Sequence, residues 1–166
     1  MNFQVLCIDN NNFHQEQLYD ITKTKTIDEV KSTIQPLIKT IVTNKEFLLK
    51  DVYETLDIVH DSITFYLKTT TIYEDAEYLF QMISVSDDDI YDGKFFNIDK
   101  YKFNFLGKLL INTDDNVNGK FIIFGYKINE DNTYDFCDMT SDMFCKLIYK
   151  NLFKEGAILL IFELNE

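Results

Sequence analysis

Asp114, Asn116 and Asn118 stand at alternate positions and are followed at once by Gly119, matching the opening half of a calcium-binding loop, D-x-[DN]-x-[DN]-G. Calcium chemistry needs a bidentate carboxylate at the twelfth position, and that position is Gly125. The flanks are rich in β-formers rather than helical. Asn118-Gly119 between apolar runs is instead a strong hairpin signal, because both residue types tolerate positive φ. The stretch "NTDDNVNG" is therefore expected to be a tight turn between two strands.

A second acidic segment, "SDDDIYDGKFFNID" (86 to 99), raises the same question. Counting back from Gly93 places Ile90 where a calcium loop needs an oxygen, so the motif fails. Asp87, Asp88, Asp89 and Asp92 read as a solvated loop or as a contact surface for a basic partner. Nucleophilic catalysis needs a Cys or Ser beside a base. The histidines are His14 and His60, and the cysteines are Cys7, Cys137 and Cys145, without C-x-x-C spacing. Cys7 falls in an apolar strand and Cys145 beside a helix's apolar stripe, where a thiol behaves as a small hydrophobe. The glycines at 93, 107, 119, 125 and 156 form no phosphate cradle, which disfavours a P-loop or a dinucleotide fold. With 28 acids, carboxylate pairs are too many for the sequence to single one out.

The elements that would position these groups follow from periodicity. Residues 3 to 9 read as a strand. Thr26-Ile27-Asp28-Glu29 and Thr43-Asn44-Lys45-Glu46 both have capping-box spacing. The first predicts a helix through Ile41, kinked or restarted at Pro36, and the second predicts a helix to about His60. Period-two alternation predicts a strand over 62 to 73. The segment 74 to 83 is ambiguous, and a short helix is the expectation there. Strands are expected at 94 to 98, 101 to 111, 120 to 128 and 133 to 137, followed by a helix that Thr140 caps and Gly156 ends. Residues 157 to 164 close the chain as a strand.

The expected fold is thus a single α+β domain spanning 1 to 166: about three helices packed on an antiparallel sheet of five to six strands. In the strand over 101 to 111, alternation of Tyr101, Phe103 and Phe105 with lysines places aromatics inward and lysines outward. That reading competes with a stacking platform for single-stranded nucleic acid built from Phe95, Phe96, Tyr101, Phe103, Phe105, Phe121, Phe124 and Tyr126, interleaved with Lys94, Lys100, Lys102, Lys108, Lys120 and Lys127.

Charge narrows the function further. The chain of 166 residues carries 16 basic and 28 acidic side chains, for a net charge of −12, and every basic residue is Lys. Without a guanidinium there is no arginine finger and no bidentate guanine contact. Direct nucleic-acid binding is disfavoured, and a positively charged protein surface is the expected partner. No stretch has the length of a membrane span, the N-terminus lacks a signal-peptide pattern, and free thiols point to a reducing cytoplasm. The scarcity of Ala, Gly and Pro, and the lack of Arg and Trp, suggest an A+T-rich genome, such as that of a low-GC bacterium, a virus or a mobile element.

These features favour a non-catalytic intracellular binding module of the inhibitor, immunity or anti-defence type, using no metal or other cofactor. The alternative is a structural or accessory subunit of a large assembly such as a virion, and an enzyme of unidentified class comes third. The densest acidic segment nominates Glu74, Asp75, Glu77, Asp87, Asp88, Asp89 and Asp92 as the partner-binding residues. Oligomeric state is left open by the sequence.

Overall fold

The computed structural model describes residues 2–9, 16–17, 20, 23, 26–47, 49–56, 67–85, 103–111 and 115–152. The fold is α+β. Among the described residues four α-helices pack with a six-stranded antiparallel sheet in the order β2-β1-β5-β4-β3, and β6 pairs with β5. The strands are β1 (Phe3–Ile8), β2 (Ile38–Thr43), β3 (Leu67–Glu74), β4 (Tyr78–Val85), β5 (Phe121–Ile128) and β6 (Tyr134–Cys137). Among the described residues the helices are α1 (Ile27–Ile34), α2 (Leu49–Thr55), α3 (Phe105–Leu110) and α4 (Ser141–Leu152), one more than the three expected.

Alternation along the strands sends side chains into two separate cores. On one face Leu6, Ile8, Phe80, Met82, Phe121 and Ile123 meet α1, α3 and α4. On the other, Phe3, Val5, Val85, Ile122 and Phe124 meet Val52 and Tyr53 of α2 and Leu56 just after it. Burying each large apolar side chain is worth about 1.5–3 kcal/mol. The exposed Lys31–Asp142 pair between α1 and α4 adds little to this.

β5 is the hub. Along one flank it pairs with β4, and along the other it pairs first with β1 and then with β6. Where β1 leaves β5, residues after β6 take over: Gln4 donates its backbone N–H to Asp138 Oδ1 (2.8 Å) and accepts from the Met139 N–H (2.9 Å). Phe3 stacks on Phe136 at the same seam, with ring centroids 4.3 Å apart.

The two threonine caps behave differently from the second capping box. Thr26 accepts from Glu29 N–H at 3.4 Å and Thr140 accepts from Met143 N–H at 3.2 Å, each opening the expected helix. At Thr43–Glu46 the cap fails: Asn44 Oδ1 takes the Glu46 N–H (2.8 Å), a turn forms, and the helix starts only at Leu49. The first helix also ends earlier than expected. It stops at Ile34, Pro36 sits in a 3-10 turn over Gln35–Leu37, and Ile38–Thr43 is extended. Proline removes the donor that the next turn needs, so the chain leaves the helix instead of kinking.

Three further expectations are corrected. The segment 74 to 83 is not a helix; Tyr78–Val85 is a strand whose Phe80 and Met82 face one core while Val85 faces the other. A strand buried on both faces loses the simple alternation that identifies it. In the expected strand 101 to 111, the described residues 103 to 111 are not a strand beyond a bridge at Phe103, because Asn104 caps α3 by accepting from Gly107 N–H at 3.0 Å. Leu106, Leu109 and Leu110 then follow at helical spacing and are buried. Gly107 is required by closeness, since a Cβ there would lie 2.6 Å from Val117 Cγ1.

The hairpin expected at Asn118-Gly119 is also absent. The described part of that octet, Asp115 to Gly119, joins α3 to β5; Gly119 has φ 74°, and its carbonyl accepts from Asn104 Nδ2 at 2.8 Å. The tight hairpin falls at the next polar cluster, where Asn132 (φ 65°) turns β5 into β6. The expected strands at 94 to 98 and 157 to 164, the residues 62 to 66, His14, His60 and Gly156 lie outside the described residues.

Candidate functional site

Of the acids nominated from the sequence, Glu74, Asp75 and Glu77 are brought together in the β3–β4 hairpin, on the opposite edge of the sheet from β2. Asp75 is already committed. Its carboxylate accepts from the Glu77 and Tyr78 N–H groups, both at 2.7 Å, and from the Tyr73 hydroxyl. Those donors stabilise the anion and hold Asp75 below the usual carboxylate range, the Tyr73 hydrogen bond being the largest cause. The same bond pushes the Tyr73 phenol up. Asp75 therefore shapes a turn, while Glu74 and Glu77 remain exposed. Asp87, Asp88, Asp89 and Asp92 lie outside the described residues.

A different set of acids lines a groove of about 590 Å³ between β2 and α2. One wall is Ile41, Val42 and Thr43, and the end is closed by Asn44, Glu46 and Phe47. The other wall is α2. Val52, Tyr53 and Leu56 turn into the core, so the helical repeat presents Asp51, Glu54 and Thr55, at i, i+3 and i+4, outward together. Phe47 anchors the turn, its ring centroid 5.8 Å from that of Phe124. Among the described residues the lining holds three carboxylates and no ammonium group, over an apolar wall of Ile41 and Phe47, while the Val42 side chain lies on the opposite face of the strand. Lys45 instead lines an adjoining hollow of about 210 Å³ with Phe3, Asp135 and Phe136, and Asn2 borders both.

The sequence reading missed Glu46, Asp51 and Glu54. Glu46 was assigned to a capping box, and the signal for the other two lay in the polar face of α2, complementary to Val52 and Leu56. Chemically the groove offers acceptors for ammonium, guanidinium or amide N–H groups, beside a surface that packs aliphatic stems.

The other candidates resolve differently. Cys7 and Cys145 are buried and Cys137 is half-buried. Burial pushes the Cys145 thiol up to about 11, and burial followed by the nearby Asp138 charge raises Cys137, so both are protonated at neutral pH and poor nucleophiles. The aromatic–lysine interleaving does not make one described surface. Phe121 and Phe124 point to opposite cores, and Lys108, expected to face outward, is buried and donates to the Asp115 carbonyl at 2.7 Å. Among the described residues no three His, Cys, Asp or Glu side chains gather as a metal site. No described helix is long and apolar enough to cross a membrane. No family model, curated protein or solved structure matches this chain.

Proposed function

We propose that this chain is a non-catalytic protein-binding module whose groove between β2 and α2 receives a positively charged part of a partner protein. The observation that carries the reading is the lining: Glu46, Asp51 and Glu54 set beside Ile41 and Phe47. A lysine or arginine is recognised twice by such a surface, its stem by the apolar wall and its head by the carboxylates. A net charge of −12 adds long-range attraction that speeds encounter with a basic protein and repels nucleic acid. The free thiols fit action in a reducing cytoplasm, in the manner of an inhibitor, immunity or anti-defence protein.

The test is a nuclear magnetic resonance titration with an octalysine peptide at low and high salt. Shifts centred on the groove that vanish at 0.5 M salt are expected, since about 3–5 Å of screening length remains near molar salt. Glu46→Lys with Glu54→Lys should weaken binding at least tenfold, while Glu74→Lys with Glu77→Lys should change it less than twofold. Equal losses from the two double variants would reduce the groove to one part of a generally acidic surface.

A second reading, a subunit of a larger assembly, draws support from Val42, which is 62% exposed on a strand at the sheet edge. Light scattering across a concentration series separates the two, because the assembly reading requires growth in mass.

A further inference from the structure

The backbone of β2 faces the groove in a specific way. Gln4 directs both its N–H and its C=O toward Asp138 and Met139, away from β2. Its partner across the ladder is Val42. In an antiparallel pair, a residue that sends its backbone groups away from the partner strand sits in a non-hydrogen-bonded pair, and the residue opposite does the same. Val42 therefore points its N–H and C=O outward from the sheet. The alternation repeats at Thr40, opposite Leu6, and it agrees with the Asp9 N–H to Leu37 carbonyl bond (2.9 Å), which places Leu37 in the opposite phase.

We infer that β2 is a docking edge on which an extended, basic segment of the partner adds as a further antiparallel strand, paired with Thr40 and Val42. This rests on the proposed function and specifies how the partner binds. The occupant follows from charge and face. Side chains of an added strand that lie on the α2 side of the sheet pass Asp51 and Glu54, so lysines or arginines belong there. Side chains on the other side lie against Val42 and take aliphatic residues. The matching segment alternates basic and aliphatic residues. Lys39, exposed at the other end of β2, repels such a segment and confines it to the Thr40–Thr43 end. Main-chain hydrogen bonds then supply affinity and the alternate side chains supply selectivity.

The probe is an acetylated, amidated octapeptide alternating lysine and valine. Residues directly opposite Thr40 and Val42 share their face, so it is the valines whose N–H groups must reach β2. N-methylating the valines should weaken binding at least tenfold, whereas N-methylating the lysines should change it less than threefold. In hydrogen exchange, the bound peptide should slow the Thr40 and Val42 amides at least tenfold. Val42→Pro removes only an outward N–H, a substitution that sheet edges accommodate, and should weaken the peptide while leaving the free fold's spectrum intact.

Equal binding of both methylated peptides, still sensitive to Glu46→Lys with Glu54→Lys, overturns strand addition and leaves the acidic groove standing. Protection of the Thr40 and Val42 amides in the free monomer overturns it too, because the edge is then already covered. Protection that appears only as protein concentration rises, without peptide, assigns the edge to a second copy and overturns it. Failure of the unmodified peptide to bind at low salt removes the strand and the groove reading together.

Discussion

The two outer strands of the sheet are built to opposite specifications. β3 is interrupted by a register shift between Thr71 and Tyr73, and its hairpin is tied down by the Asp75 carboxylate. Lys68 is braced against Asp115, whose carbonyl is in turn held by the buried Lys108. β2 pairs with β1 in unbroken register from Ile38 to Thr43 and leaves Val42 exposed. Bulges and edge lysines prevent a sheet from recruiting stray strands. One edge carries those protections and the other carries an acidic groove. The contrast teaches that the two edges are treated differently: β3 is guarded by its own irregularity and a lysine, while β2 lies beside carboxylates, the difference on which the proposed docking of a basic partner rests.

Both edges depend on β5, which gives the most severe way to break the comparison. Phe121→Ala, at a fully buried position, should cost about 3–5 kcal/mol in urea unfolding. Reporters on β2 and β3 should then melt in one transition; separate midpoints would mean that the edges belong to independent units. Asn104→Ala removes the α3 cap and orphans the Gly119 carbonyl, at a cost of about 1–3 kcal/mol. It should loosen the Asp115 brace, so amide exchange should quicken along β3 and stay unchanged along β2.

Asp75→Asn should lower thermal stability by a smaller amount and only above acid pH. A carboxylate held below its ordinary value contributes stability that is present above the unfolded value and lost as pH falls through the folded one. Wild type and variant should therefore converge as the solution is acidified, which melting curves at several pH values will show. The smallest effect is Lys68→Ala. Its ion pair is part-exposed on both sides (34% and 52%), so the loss should stay below about 1 kcal/mol. Its signature is greater self-association at the β3 edge, read by light scattering.

Much of the fold was legible where the determining contacts are local. Thr26 and Thr140 announced their helices, and β5 and β6 were read close to their observed limits. The α+β class and the antiparallel sheet followed from them. Legibility failed where a distant group decided the outcome. Asn104 is a cap because its amide also reaches Gly119, fifteen residues on, and Tyr78–Val85 is a strand because cores exist on both its faces. The groove failed for the same reason. Glu46, Asp51 and Glu54 are unremarkable along the chain and meet only because α2 lies against the β2 side of the sheet. Asp75 stood in the densest acidic stretch, yet its turn consumes it.

The seam at Gln4 has a consequence for how the chain comes together in the cell. The bond from Gln4 to Asp138 closes a separation of 134 residues. A nascent chain therefore has β1 and β2 in hand long before the ribosome delivers β5 and the residues after β6 that complete the pairing of β1. Until then the flank of β1 that will pair with β5 has no strand beside it, and contacts of such long range form slowly. The outward Thr40 and Val42 backbone of β2 passes through that interval beside a β1 flank that β5 has yet to fill.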